Sequence, residues 1–200
     1  YVTNKSGIGV CDINDSPKLP RNIDVPDSAD CKSISASVQL GKLCLTSNLK
    51  DEPICLDLAT NSIDWRRHYQ DGCVDSQAIT PDGKTLYVPL RDGDSWLVID
   101  TANGDMKSRI VVAHGQNYAQ DDHPIGGVGP HNTWMNPDGS RVYLEVLTMP
   151  WVYIVDTETG QIIGKAGPFR KGVRPFTVTD DEKYVFANVD WLPGFEVGEG

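Results

Sequence analysis

A Pro-Asp-Gly triplet occurs at Pro81-Asp82-Gly83 and again at Pro137-Asp138-Gly139, and each copy leads into a short apolar run and then a segment ending in aspartate. Aligned on the turn glycine, Gly41, Gly83 and Gly139, with Glu182 in the same place, lie 42, 56 and 43 residues apart. The strand-ending aspartates Asp12, Asp57, Asp100 and Asp156 are spaced 45, 43 and 56. A period of about 40 to 45 residues carrying four short strands is the signature of a β-propeller blade.

The clearest unit runs from Ser76 to Val112. It comprises Ser76-Gln77-Ala78-Ile79, the turn Thr80-Pro81-Asp82-Gly83, Thr85-Leu86-Tyr87-Val88, a loop, Trp96 to Asp100, the turn Thr101-Ala102-Asn103-Gly104, and Met106 to Val112. Proline presets the backbone angle of the first turn, while Asp and Gly supply local hydrogen bonds and a permissive backbone. Sliding this template along the chain predicts second strands at Tyr1-Val2-Thr3-Asn4, Leu43-Cys44-Leu45, Val142-Tyr143-Leu144 and Tyr184-Val185-Phe186. Third strands are predicted at Val10-Cys11-Asp12, Ile54 to Asp57 and Tyr153 to Asp156. Fourth strands form exposed edges, which suits Arg66, Arg67, Lys107 and Arg109.

The opening Tyr1-Val2-Thr3-Asn4, the Gly129-Pro130-His131 lead-in to an inner strand, and the Pro-Asp-Gly-x-x-Val/Leu-Tyr pattern resemble the YVTN-type β-propeller repeat family over nearly the whole chain. The resemblance implies blade geometry. Members of that family serve as surface proteins, binding modules and a few kinds of enzyme, so it leaves the activity open. The expected fold is all-β, a propeller of four-stranded antiparallel blades in a single domain over residues 1–200. Full blades are expected at about 33–70, 75–112 and 131–168, with partial first and last blades. Because the chain starts at a second strand and stops near a third, at Phe195-Glu196-Val197, it is expected to be a fragment, or the ordered part, of a seven-bladed ring. Such a ring needs roughly 300 residues. A closed five-bladed ring is the alternative.

Composition narrows the function classes. The formal charge of -10 argues against sequence-independent nucleic-acid binding, which needs a cationic face. No apolar stretch approaches membrane-spanning length. Arg170, Lys171 and Arg174 cluster on one loop, a pattern more often found on a solvated surface than at a phosphate site. No signal peptide is present, and a start inside a blade makes that uninformative about export.

All five cysteines precede residue 74. Cys31 and Cys73 each sit ten residues before an aligned glycine, on adjacent inner strands, and could bridge two blades. Cys44 and Cys55 lie on the two arms of one hairpin and could pair as well, or simply pack. Cys11 is then the unpaired thiol or core filler. The sequons Asn4-Lys5-Ser6 and Asn14-Asp15-Ser16 carry little weight, and no Cys-x-x-Cys-His supports covalent haem. With a disulfide, the expected location is extracellular or periplasmic.

The chemistry is expected where inner strands and their lead-in loops meet at the channel mouth. At one equivalent position the blades carry Ser33, Asp75, His131 and Arg174. An acid, an imidazole and a guanidinium that converge can bind an anionic substrate, polarise it and move a proton, so Asp75, His131 and Arg174 are the catalytic candidates. Alternatively the histidine only hydrogen-bonds the neighbouring blade. Propellers of the lactone-hydrolase or cycloisomerase kind look similar and use a channel-mouth histidine and arginine. This chain lacks an acid at the matching strand end, and Glu145 stands nearby in a different register.

The Gly83 to Gly139 interval is longer than its neighbours, and the excess falls in His114 to Gly127, a loop before an inner strand. Extra length at a channel mouth is usually functional. It brings His114 and His123 toward His131, with Asp121 and Asp122 as carboxylate partners. Three imidazoles with an open fourth position suit zinc or copper, although the spacing matches no ligand motif. Among the tryptophans, Trp96 and Trp134 are expected to pack between blades, Trp65 lies on an outer strand, and Trp151 and Trp191 flank third strands. Taken together, these readings point to an exported propeller module whose channel mouth binds a small molecule, an ion or a protein partner. The alternatives are an enzyme using His131, Asp75 and Arg174, with or without metal, and a structural surface repeat.

Overall fold

The computed structural model describes residues 1–4, 7–12, 21–26, 28, 31–47, 50–69, 74–112, 129–169 and 172–188. The described residues contain no helix and form five antiparallel sheets in chain order. The first holds β1 (Val2–Asn4), β2 (Gly7–Val10) and β3 (Arg21–Asp24). The second holds β4 (Cys31–Ser37), β5 (Lys42–Ser47), β6 (Glu52–Asp57) and β7 (Ser62–Arg66). The third holds β8 (Ala78–Ile79), β9 (Thr85–Pro89), β10 (Ser95–Asp100) and β11 (Met106–Val111). β12 (Pro130–Met135), β13 (Arg141–Val146), β14 (Val152–Asp156) and β15 (Ile162–Ala166) form the fourth, and β16 (Phe176–Val178) pairs with β17 (Val185–Ala187). This all-β pattern is that of propeller blades. One strand differs from expectation: β2 spans Gly7–Val10 rather than Val10-Cys11-Asp12. Register explains the shift, because Ile8 pairs with Thr3 and Ile23 and enters the core, whereas Cys11 and Asp12 follow the strand.

The repeated triplet folds the same way each time. Asp82 Oδ1 accepts the Lys84 N–H at 3.0 Å and the Thr80 hydroxyl at 2.6 Å, and Asp138 Oδ1 accepts the Ser140 N–H at 2.8 Å. Asp181 Oδ1 repeats the arrangement with Thr179 and Lys183. These donors favour the ionised form: the Thr80 hydroxyl and then the Lys84 N–H hold Asp82 below its ordinary value. The aspartates that end third strands do the same, Asp100 capping Ala102 and Asp156 capping Thr159.

Second strands are apolar on both faces, and the two faces belong to different seams. In β9, Leu86 and Val88 join a cluster with Cys44, Cys55 and Trp65 of the preceding sheet, whereas Tyr87 joins Val142 and Leu144 of the following one. β5 behaves alike, with Leu43 and Leu45 packing on Ile8 and Ile23, and Cys44 on the other side. Tyr143 faces Val178 in the fourth seam. Phe186 occupies the place of Tyr87 and Tyr143 in the ladder, opposite Thr177 as they are opposite Ala78 and Trp134, yet it is 61% exposed. Polar bonds stitch the seams: Trp65 Nε1 donates to Thr101 O at 2.7 Å and Trp96 Nε1 to Thr133 Oγ1 at 2.8 Å. Trp134 packs edge-on against Tyr143, and Lys165 lies over Trp151 at 3.9 Å, so these indoles serve packing.

Cys44 and Cys55 are directly opposite in the β5–β6 ladder, 4.1 Å apart at Cα, and form a disulfide buried in the seam against the next sheet. The pairing between arms of one hairpin is therefore present. Cys73, the expected partner of Cys31, lies outside the described residues.

The seams generate a test at two turn glycines of similar backbone angle, Gly139 at φ 77° and Gly160 at φ 68°. A Cβ on Gly160 meets nothing within 4 Å, whereas one on Gly139 would approach Pro81 Cδ of the neighbouring sheet to 2.8 Å. Gly160→Ala should cost only the left-handed penalty of about 1–2 kcal/mol. Gly139→Ala should cost roughly 1 kcal/mol or more beyond that, a further drop in Tm of about 2–4 °C by thermal denaturation. Equal losses in the two variants would show that the turn does not pack against its neighbour.

Candidate buried inter-blade site

Stacked in this way, the sheets set their innermost strands side by side: β4 adjoins β8, β8 adjoins β12, and β12 adjoins β16. The lead-in to β8 carries Asp75, and β12 carries His131 at its second residue. The backbone oxygen of Asp75 is anchored to the preceding sheet by the hydroxyls of Thr46 at 3.0 Å and Ser33 at 3.4 Å. Ser33 Oγ also accepts the Gln77 N–H at 3.0 Å. Ser33, at the equivalent position in its own blade, thus holds its neighbour's backbone in place.

Asp75 and His131 are both buried, and they meet across the seam with His131 Nε2 3.5 Å from Asp75 Oδ1. On its other side, His131 Nδ1 is 3.5 Å from Oε2 of Glu145, which β13 contributes and which is fully buried. Glu145 Oε2 further accepts the Asn132 N–H at 3.1 Å. Asp75 is engaged beyond the histidine, by Arg91 Nη1 at 3.6 Å from Oδ2 and by the Ser76 hydroxyl at 3.2 Å from Oδ1. The result is a row Arg91, Asp75, His131, Glu145 running from one sheet into the next. Both imidazole contacts are long for hydrogen bonds, so they act as close electrostatic contacts.

Sequence comparison of the blades found two of these four. It did not find Arg91, in the loop after β9, and it set Glu145 aside on register. In the ladder Glu145 faces Val152, and its strand is otherwise apolar after Arg141. An acid in an apolar strand was the available signal, because a buried carboxyl needs a partner. Arg174 is exposed before β16, with its N–H donated to Asn188 O at 2.8 Å, and its charge reaches Glu145. His131 is 6% exposed, so it is a buried group rather than a side chain standing open at a channel mouth.

Burial pushes the Glu145 carboxyl above its ordinary value, and the opposing pull of the His131 ring, the Asn132 N–H and the Arg174 charge does not cancel this. Among the described residues, Gln77 Oε1, Asn132 Nδ2, His131 Nδ1 and Glu145 Oε1 are buried without a hydrogen-bond partner. Such orphaned atoms are uncommon in folded proteins. No three His, Cys, Asp or Glu side chains among the described residues are grouped to hold a metal ion, and His114 and His123 lie outside them. No helix among them is long and apolar enough to cross a membrane.

No family model matches the chain, and no curated protein does. Solved structures do. Hydrazine synthase from Kuenenia stuttgartiensis superposes with a TM-score of 0.64 at 20% identity, over 82% of this chain and 43% of that one. The β-propeller domain of Cps50 (Swd1) from Myceliophteria thermophila gives 0.62 at 14%, over 80% and 49%. The chain folds as part of a β-propeller. It spans less than half the length of either of these solved chains, and at such identities the likeness concerns the fold alone.

The raised Glu145 carboxyl sets a direction for pH dependence. A carboxyl that is harder to ionise in the folded state contributes its full stabilisation below its unfolded value, near 4.3, and that contribution is lost as pH rises through the folded value. Glu145→Gln removes the loss. The urea midpoint of the variant relative to wild type should therefore move in the variant's favour between about pH 5 and pH 8, and a difference that stays constant across that range would contradict burial of an ionisable carboxyl there.

Proposed function

We propose that this propeller is a binding module for a small polar ligand, taken at the inter-blade site centred on His131 with Asp75 and Glu145 beside it. The supporting observation is the buried row of ionisable groups with orphaned polar atoms around it. Burying such groups is costly unless they are fully paired, and hydrophobic residues would close the seam at no such cost. The buried Cys44–Cys55 disulfide supports an extracellular or periplasmic location, since thiols stay reduced in the cytosol. The repeat motif supports placement with YVTN-type propellers.

An enzymatic version is favoured by one further feature, the imidazole flanked by two carboxyl groups. That is the geometry of a positioned acid or base, with His131 moving the proton and Asp75 and Glu145 orienting it. Arg174 supplies positive charge at the edge of the site.

Replacement of His131 by alanine tests the reading. Because His131 is buried between carboxyl groups, the variant should lose about 1–3 kcal/mol of stability. Affinity has to be compared per folded molecule. For any small polar compound that raises the Tm of the wild-type protein, His131→Ala should weaken binding at least tenfold, while His68→Ala, on the exposed exit of an outer strand, should leave it unchanged. Wild-type affinity in folded His131→Ala would make His131 a packing residue and end the proposal.

A further inference from the structure

The seams between sheets follow one register, and the two ends of the stack carry the two halves of another such seam. Within the stack, each second strand offers one side chain to the sheet that follows. Cys44, Tyr87 and Tyr143, opposite Ser35, Ala78 and Trp134 in their ladders, hold this place, and all are buried. The following sheet answers from its own second strand, so that Cys44 shares a cluster with Val88, Tyr87 with Leu144, and Tyr143 with Ala187. Phe186, opposite Thr177, holds the offering place in the last sheet and is 61% exposed. Val2 holds the answering place in the first. It pairs with Gly9, three residues before Asp12, as Leu45, Val88 and Leu144 pair with Ile54, Leu97 and Tyr153, three residues before Asp57, Asp100 and Asp156. Leu45, Val88 and Leu144 are fully buried against the preceding sheet, whereas Val2 is 58% exposed.

We propose that the Phe186 face of the last sheet is an interaction surface for a second copy of this chain, which enters with its Val2 face, so that the copies join head to tail through one more seam of the internal kind. Blades bury their faces only against neighbours. In one chain the two bare faces do not meet, since both stay exposed. The commitment to a second copy rests on their complementarity: the aliphatic side chain that an internal seam sets against Tyr87 is present, uncovered, at the other end of the same stack. Phe186 is flanked by Tyr184, 63% exposed with its ring centroid 6.5 Å away. It also borders a groove of about 450 Å³ whose lining includes Pro175, Thr177 and Asn188, and an apolar side chain entering there removes both from water. The contact joins different patches on the two copies, so it closes into a ring or adds further copies according to the rotation between them. The formal charge of -10 opposes association, an effect that salt screens.

Analytical ultracentrifugation from micromolar to sub-millimolar protein tests this, at about 0.15 M ionic strength, where exposed charges are screened beyond about 8 Å. The wild type should sediment as two or more copies, in proportions that rise with concentration. Val2→Glu and Phe186→Glu each put a charge on one face, and because both positions are exposed the variants should melt as the wild type does. Each variant alone should self-associate at least tenfold more weakly. Mixing the two is the decisive step. Val2→Glu keeps its Phe186 face and Phe186→Glu keeps its Val2 face, so the mixture should restore association and stop at a one-to-one pair. A wild type that stays monomeric throughout overturns the proposal, as does a mixture no heavier than its parts. Val2→Glu that associates by itself as the wild type does would show like faces pairing, which overturns the head-to-tail seam. If Phe186→Glu does not fold, Phe186→Ser takes its place in the mixture, with the same outcomes.

Discussion

In the three four-stranded sheets among the described residues the second strand is apolar on both faces, and blades of that kind bury those faces only against neighbours. Every other feature follows from the need to cover those faces. In β5, β9 and β13 successive side chains point to opposite seams, so a single strand contributes to two clusters at once. Burial therefore runs from blade to blade instead of gathering in one central core. Trp65 and Trp96 sit in these seams with their indole N–H groups satisfied across them, which is how such large side chains are buried without loss.

Covering the faces also presses the innermost strands together, and there the seam turns polar. Ser33 and Thr46 hold the Asp75 backbone, and Asp75 meets His131, which meets Glu145. Packing that exists to exclude water thus brings an imidazole and two carboxyl groups together in a dry place, where their interaction is stronger than at a surface. The same dryness raises the Glu145 carboxyl and leaves several polar atoms without partners.

Much of the architecture is written in short-range sequence, because turns are local. Pro81-Asp82-Gly83 and Pro137-Asp138-Gly139 specify hairpins through bonds to residues two positions on, and the Cys44–Cys55 pair follows from hairpin register. The site is only half local. Asp75 and His131 were legible because equivalent positions in adjacent blades face one another. Arg91 reaches Asp75 by way of a loop whose path no spacing encodes, and Glu145 reaches His131 from the neighbouring strand, one residue past Leu144, which pairs with Thr133, where the register shifts. The inserted segment with His114 and His123 lies outside the described residues.

If the seam is what assembles the site, Asp75 and His131 must be energetically coupled although they belong to different blades. A double-mutant cycle on unfolding free energy, using Asp75→Asn, His131→Gln and the double variant, measures this coupling directly. The structure predicts an interaction of about 0.5–3 kcal/mol. Strict additivity, within about 0.3 kcal/mol, would mean that the two side chains do not meet in the folded protein and would contradict the site described above.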